Sequence, residues 1–154
     1  MNKTEVTLTG DGAIVGEVVR EHSFIFAKHG FELKEISLGG NQELGLYSVF
    51  HFFNKRTGME IRVAFDSARE GLNGGFSVMI IKPVNRKLDV EDFLKLHGYD
   101  ELTKFFTYRD PKTDICNFAN SFLNVFCELL DTNLKPILDS KTFEETPIDW
   151  MGYR

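Results

Sequence analysis

Cysteine is scarce in this chain, with two in 154 residues, Cys116 and Cys127. They form no CxxC pair and have no neighbouring pair of histidines, so a zinc site is not expected. Both fall in one strongly periodic stretch, eleven residues apart. If that stretch is helical, their Cα atoms stand about 16 Å apart along the axis. A disulfide spans about 5.5 Å, so a bridge between them is excluded and packed, reduced thiols are the expectation. Long apolar runs are missing too. The longest aliphatic run is 78–81, far short of a membrane span. Residues 1–10 are polar and lack the apolar centre of a signal peptide. Asn2 stands where myristoylation requires glycine. Reduced thiols and no leader together predict a cytoplasmic protein away from membranes.

Recognisable chemistry is also lacking. There is no P-loop, no HExxH and no EF-hand, and no strand with the aromatic and basic pattern of an RNA-recognition motif. Gly10, Gly12 and Gly16 make a GxGxxxG spacing where a dinucleotide loop has GxGxxG, and Asp11 would put a carboxylate against the phosphates. A capping turn is the better reading, so no cofactor is expected. His22 and His29 are two helical turns apart, too far to share a metal. They read as partly buried structural side chains. No serine or cysteine stands beside a histidine and an acid in a linear motif, although such triads are assembled in space.

What is present is ordinary for a folded domain, 42% hydrophobic and 27% charged, except for fifteen phenylalanines. Phe is bulky and apolar, so it predicts a well-filled core or an apolar contact surface. The length suits one domain over residues 1–154. Net charge is −5 and uneven. Residues 54–88 carry seven basic and three acidic side chains, and both flanks are acidic. An acidic surface repels nucleic-acid phosphates and speeds encounter with a basic partner.

Val6 and Leu8 suggest a short first strand. Ile14, Val15, Val18, His22, Ile25, Phe26 and His29 then recur at helical spacing, with Asp11 as N-cap and Gly30 as C-cap. Strand patterns begin at Phe31 and Leu33 and recur over 46–53, 59–66 and 76–82, with a hairpin turn at 54–58. Lys55, Arg56, Arg69, Arg86 and Lys87 fall in expected turns. Asp89 is the expected cap of a short helix that Gly98 closes. A helical piece over 101–106 and a turn at Asp110 and Pro111 follow. Ile115, Phe118, Ala119, Phe122, Leu123, Phe126, Leu129 and Leu130 form one apolar stripe on a long helix. Strands grouped before helices predict an α+β fold: an N-terminal helix, an antiparallel meander of about four strands, then two or three helices on one face.

The helix ending at His29, Gly30 and Phe31, the meander with its charged hairpin turn, the amphipathic helix, the stretch 134–138 and the Trp-containing terminus have a familiar layout. It resembles several families of small bacterial immunity proteins. That resemblance implies a non-catalytic inhibitor that covers a toxin's active site, often with acidic side chains.

The leading expectation is therefore a protein-binding module for a basic partner, plausible as a toxin domain. Glu91, Asp92, Asp100 and Glu101 are the acidic candidates. Trp150 and Tyr153 are the candidate aromatic anchors. A second expectation is a small-molecule binder or enzyme on the sheet face around His51, Arg62 and Asp66, where Glu60, Arg62 and Asp66 share one strand face. A third is a subunit of a homo- or hetero-oligomer joined through its Phe-rich strands.

Overall fold

The structure, a computed structural model, describes residues 11–41, 45–66, 75–83, 86–99 and 114–139. The chain is α+β. Helices α1 (Asp11–Glu21) and α2 (Ser23–Lys28) lead into strands β1 (Glu32–Asn41), β2 (Gly45–Phe53), β3 (Glu60–Asp66), β4 (Gly75–Lys82) and β5 (Arg86–Asp89). Helices α3 (Val90–Leu96), α4 (Ile115–Asp131) and α5 (Lys135–Leu138) follow. The strands pair antiparallel in sequence order, so the sheet is a five-stranded meander with β1 and β5 at its edges.

The sheet's two faces differ because successive side chains along a strand point to opposite sides. On one face Phe50, Phe52, Ile61, Val63, Phe65, Phe76, Val78, Ile80 and Leu88 are buried. They join the buried residues of all five described helices in one core cluster. Within it, Phe26 of α2 stacks on Phe52 with ring centroids 3.9 Å apart and planes 9° apart. Phe76 stacks on Phe122 of α4 at 4.1 Å and 5°. Every residue of the apolar stripe expected on α4 is buried. Ten of the twelve described phenylalanines are buried in this core, as filling between sheet and helices.

Two helix ends follow the glycine rule. Gly30 has φ +87° and Gly98 has φ +77°. Behind Gly30, the Phe31 N–H reaches the Phe26 carbonyl at 2.9 Å; behind Gly98, the Tyr99 N–H reaches the Leu94 carbonyl at 2.7 Å. This bond pattern closes a helix with its last carbonyls satisfied. Asp89 caps α3, its Oδ1 accepting from the Asp92 N–H at 3.1 Å. Asn54 holds the β2–β3 turn. Its Oδ1 accepts from the Arg56 and Thr57 N–H groups, and its Nδ2 donates to the His29 carbonyl.

Three details differ from the expectation. The first helix is two helices. At the break, His22 Nδ1 lies 2.9 Å from the Val18 carbonyl and Ser23 Oγ donates to the Arg20 carbonyl. Side-chain bonds to backbone groups of this kind interrupt a regular helix. A fifth strand, β5, occupies what reads as a turn. It is four residues long and places only Leu88 inward, so it offers no alternation to detect. Arg86 and Lys87 therefore lie on an edge strand, while Lys55 and Arg56 are in a turn as expected. Asp11, the expected N-cap, is the first residue of α1 itself, and Gly12 and Gly16 follow within the helix, in keeping with the rejection of the dinucleotide loop. The expectations for Val6, Leu8, Arg69, residues 101–106, Asp110 and Pro111 lie outside the described residues.

Candidate functional site

The other face of the sheet carries Glu35 and Ser37 from β1, and Val49, His51 and Phe53 from β2. From β3, β4 and β5 come Glu60, Arg62, Ala64, Met79, Ile81, Lys87 and Asp89. None of these belongs to the core cluster, and no described helix contributes its buried residues to this side. Val49, Phe53, Met79 and Ile81 are nonetheless half-buried. This face is mixed, with apolar side chains beside paired charges.

Strand register builds a polar chain across it. Ser37 pairs with Val49, and His51 pairs with Glu35 on one side and Arg62 on the other. Each step from Ser37 to His51 to Glu60 moves one strand over and two residues along. That is a diagonal contact, close enough for polar side chains to meet. Ser37 Oγ lies 2.8 Å from His51 Nε2, and His51 Nδ1 lies 3.4 Å from Glu60 Oε1. Arg62 Nε donates to Glu60 Oε2 at 2.6 Å. Both carboxylate oxygens of Glu60 are engaged. His51 and Glu60 keep 14% and 21% of their side-chain surface, while Arg62 keeps 43%. The chain therefore runs from a sheltered histidine to a guanidinium open to solvent. Beside it, the Lys34 ammonium lies 4.6 Å from the centre of the Phe53 ring, a cation–π contact.

The sequence reading named His51, Glu60, Arg62 and Asp66 for this face, and three of the four come together. Asp66 lies four residues beyond Arg62 on the same strand, about 13 Å away at strand rise, and takes no part. Burial pushes its carboxyl above the ordinary range. Ser37 was not singled out. It has no motif around it, and only the register of β1 against β2 brings it to His51.

The acidic candidates divide. Glu91 and Asp92 stand in the first turn of α3. Asp100, Glu101, Trp150 and Tyr153 lie outside the described residues. The first turn of α3 borders the open face, because Asp89 is the register partner of Met79. Burial raises the carboxyls of both Asp89 and Glu91, and charge repulsion with Asp92 pushes the same way. Glu91 is held partly by Lys95, 3.7 Å away. Asp89, Glu91 and Asp92 thus form an acidic rim where β5 passes into α3, with Lys87 of β5 and Lys95 of α3 beside it.

His22 and His29 are structural, as expected. His22 Nε2 lies 3.2 Å from Asn124 Oδ1, and His29 Nε2 lies 2.8 Å from Asp131 Oδ1. Both pairs are seven residues apart on their own segments, so residues 22–29 run alongside the C-terminal half of α4 in the same direction. Cys127 is buried and its thiol is pushed up to about 12, chiefly by desolvation. It is a core residue, not a reactive one. Among the described residues, no group of three His, Cys, Asp or Glu side chains could hold a metal. No helix among them is long and apolar enough to cross a membrane. No family model matches this chain, nor does any curated protein or solved structure.

Proposed function

We propose that this chain is a protein-binding module whose contact surface is the open face of the sheet together with the acidic rim at β5 and α3. The observation that supports this most strongly is the composition of that face. Val49, Phe53, Met79 and Ile81 lie outside the core, interleaved with the paired charges of Glu60 and Arg62. Apolar side chains set among paired, satisfied polar groups are the make-up of a recognition surface. The rim of Asp89, Glu91 and Asp92 and the net charge of −5 favour a basic partner, through faster encounter and correct orientation. In its finer form, this reading is a cytoplasmic inhibitor of the immunity type that neutralises a basic toxin domain.

The test is capture by the tagged chain from its native lysate, at low and high salt, read by mass spectrometry. The reading predicts one stoichiometric basic partner that salt releases and that the Met79→Asp variant fails to capture. A partner retained by Met79→Asp, or one held through charge-reversed Glu91 and Asp92 with unchanged affinity, would move the interface elsewhere.

A further inference from the structure

The polar chain on the open face has an arrangement that partner binding does not require. Ser37 Oγ sits on His51 Nε2 at 2.8 Å, and the other ring nitrogen faces Glu60 Oε1 at 3.4 Å. A serine, a histidine and a carboxylate in this order have distinct roles. The histidine nitrogen facing the hydroxyl can take its proton. The carboxylate behind the ring favours the tautomer that leaves that nitrogen free and stabilises the imidazolium that forms. Ser37 and His51 are within the hydrogen-bond reach required of a nucleophile and its base. The longer step to Glu60 belongs to a carboxylate shared with Arg62, whose Nε holds Glu60 Oε2 in place at 2.6 Å.

We propose that Ser37 is an activated nucleophile that accepts an acyl group from an ester, with His51 as its base and Glu60 as the positioning residue. In the first step Ser37 Oγ bonds to the ester carbonyl carbon and its proton passes to His51 Nε2. The bond to the leaving oxygen then breaks, and that oxygen departs as an alcohol with the proton from His51. In the second step water adds to the serine ester, giving its proton to His51. The bond between the acyl carbon and Ser37 Oγ breaks, and Oγ recovers the proton as the acid leaves. Around His51 the backbone N–H groups of β2 and β3 serve the sheet ladder on both sides. They are not available to hold the negative oxygen of the intermediate, a contribution worth about 10²–10³ in rate elsewhere. Both steps are therefore slow, and the acyl form accumulates only with an activated ester, whose good leaving group speeds acylation but not hydrolysis of the serine ester. The proposed partner surface is this same face, so a bound partner would cover Ser37; the test uses the free chain, and its failure would leave partner capture standing.

The probe is p-nitrophenyl acetate with the purified full chain, followed by p-nitrophenolate release, intact mass and peptide mapping. The expected result is a burst of one equivalent of p-nitrophenolate and one acetyl group on Ser37. Ser37→Ala abolishes the burst. His51→Ala slows it by about 10²–10⁴-fold, the range for general-base removal, and added imidazole restores part of the rate. A purely structural histidine would not respond to imidazole. Glu60→Gln gives a smaller loss with the same acetylated residue. Thermal melts of each variant separate lost chemistry from lost folding. Acetyl groups on lysines alone, or a burst unchanged in folded Ser37→Ala or folded His51→Ala, would overturn the proposal.

Discussion

The two faces of the sheet come from the same strands, one residue apart, yet they follow different rules. On the core face, Phe50, Phe52, Ile61, Val63 and Phe65 meet helices and exclude water. On the open face, His51, Phe53, Glu60, Arg62 and Ala64 alternate with them and carry paired charges. The period of two that defines a strand thus separates the residues that fill the core from those of the face proposed for recognition. A change on one face should cost stability, and a change on the other should cost binding.

The largest expected effect is in the core. Phe122→Ala removes a ring that stacks on Phe76 and lies 5.9 Å from Phe126. A loss of about 3–5 kcal/mol is expected for a buried Phe truncated to Ala, read as a fall in the denaturant midpoint. By contrast, Met79→Asp on the open face should shift stability by less than about 1 kcal/mol while abolishing partner capture. A midpoint loss from Met79→Asp as large as that from Phe122→Ala would erase the distinction between the faces.

A second contrast concerns polarity inside the core face itself. Ser48 is buried there and its hydroxyl has no hydrogen-bond partner among the described residues. Such a group costs desolvation without return, so Ser48→Ala should raise stability by about 1 kcal/mol. An equal loss instead would mean that the hydroxyl is satisfied.

The smallest effects lie where the helices meet. Asp131 is held below the usual carboxylate range, first by its hydrogen bond from Lys28 and then by His29. A carboxyl depressed in the folded state stabilises above its unfolded value and loses that contribution as pH falls through its folded one. Asp131→Asn should therefore lower the thermal midpoint slightly at neutral pH. The gap to the parent chain should close as the solution becomes strongly acidic. Cys127 should not react with a thiol reagent in the folded chain at neutral pH, because burial pushes its thiol up to about 12. It should react fully once the chain is unfolded.

The helices and strands with repeated patterns were legible in the sequence. The stripe on α4, the glycine ends of α2 and α3, the Asp89 cap and the meander all express local periodicity or backbone chemistry. Strand β5 was not, because four residues with one inward side chain carry no period. The break at His22 was not, because it depends on side chains bonding to backbone carbonyls. The open-face chain was half legible. His51, Glu60 and Arg62 stand out as polar residues in strands, but Ser37 joins them only through the register of an edge strand, which no local pattern encodes.

The central claim is that binding and stability reside on opposite faces. The most direct test measures the denaturation midpoint and the salt-sensitive capture of a basic partner in parallel, for the parent chain and for Met79→Asp. The account predicts a midpoint close to the parent's and no capture by the variant. A variant that unfolds, or one that stays folded and captures the partner as before, would contradict it.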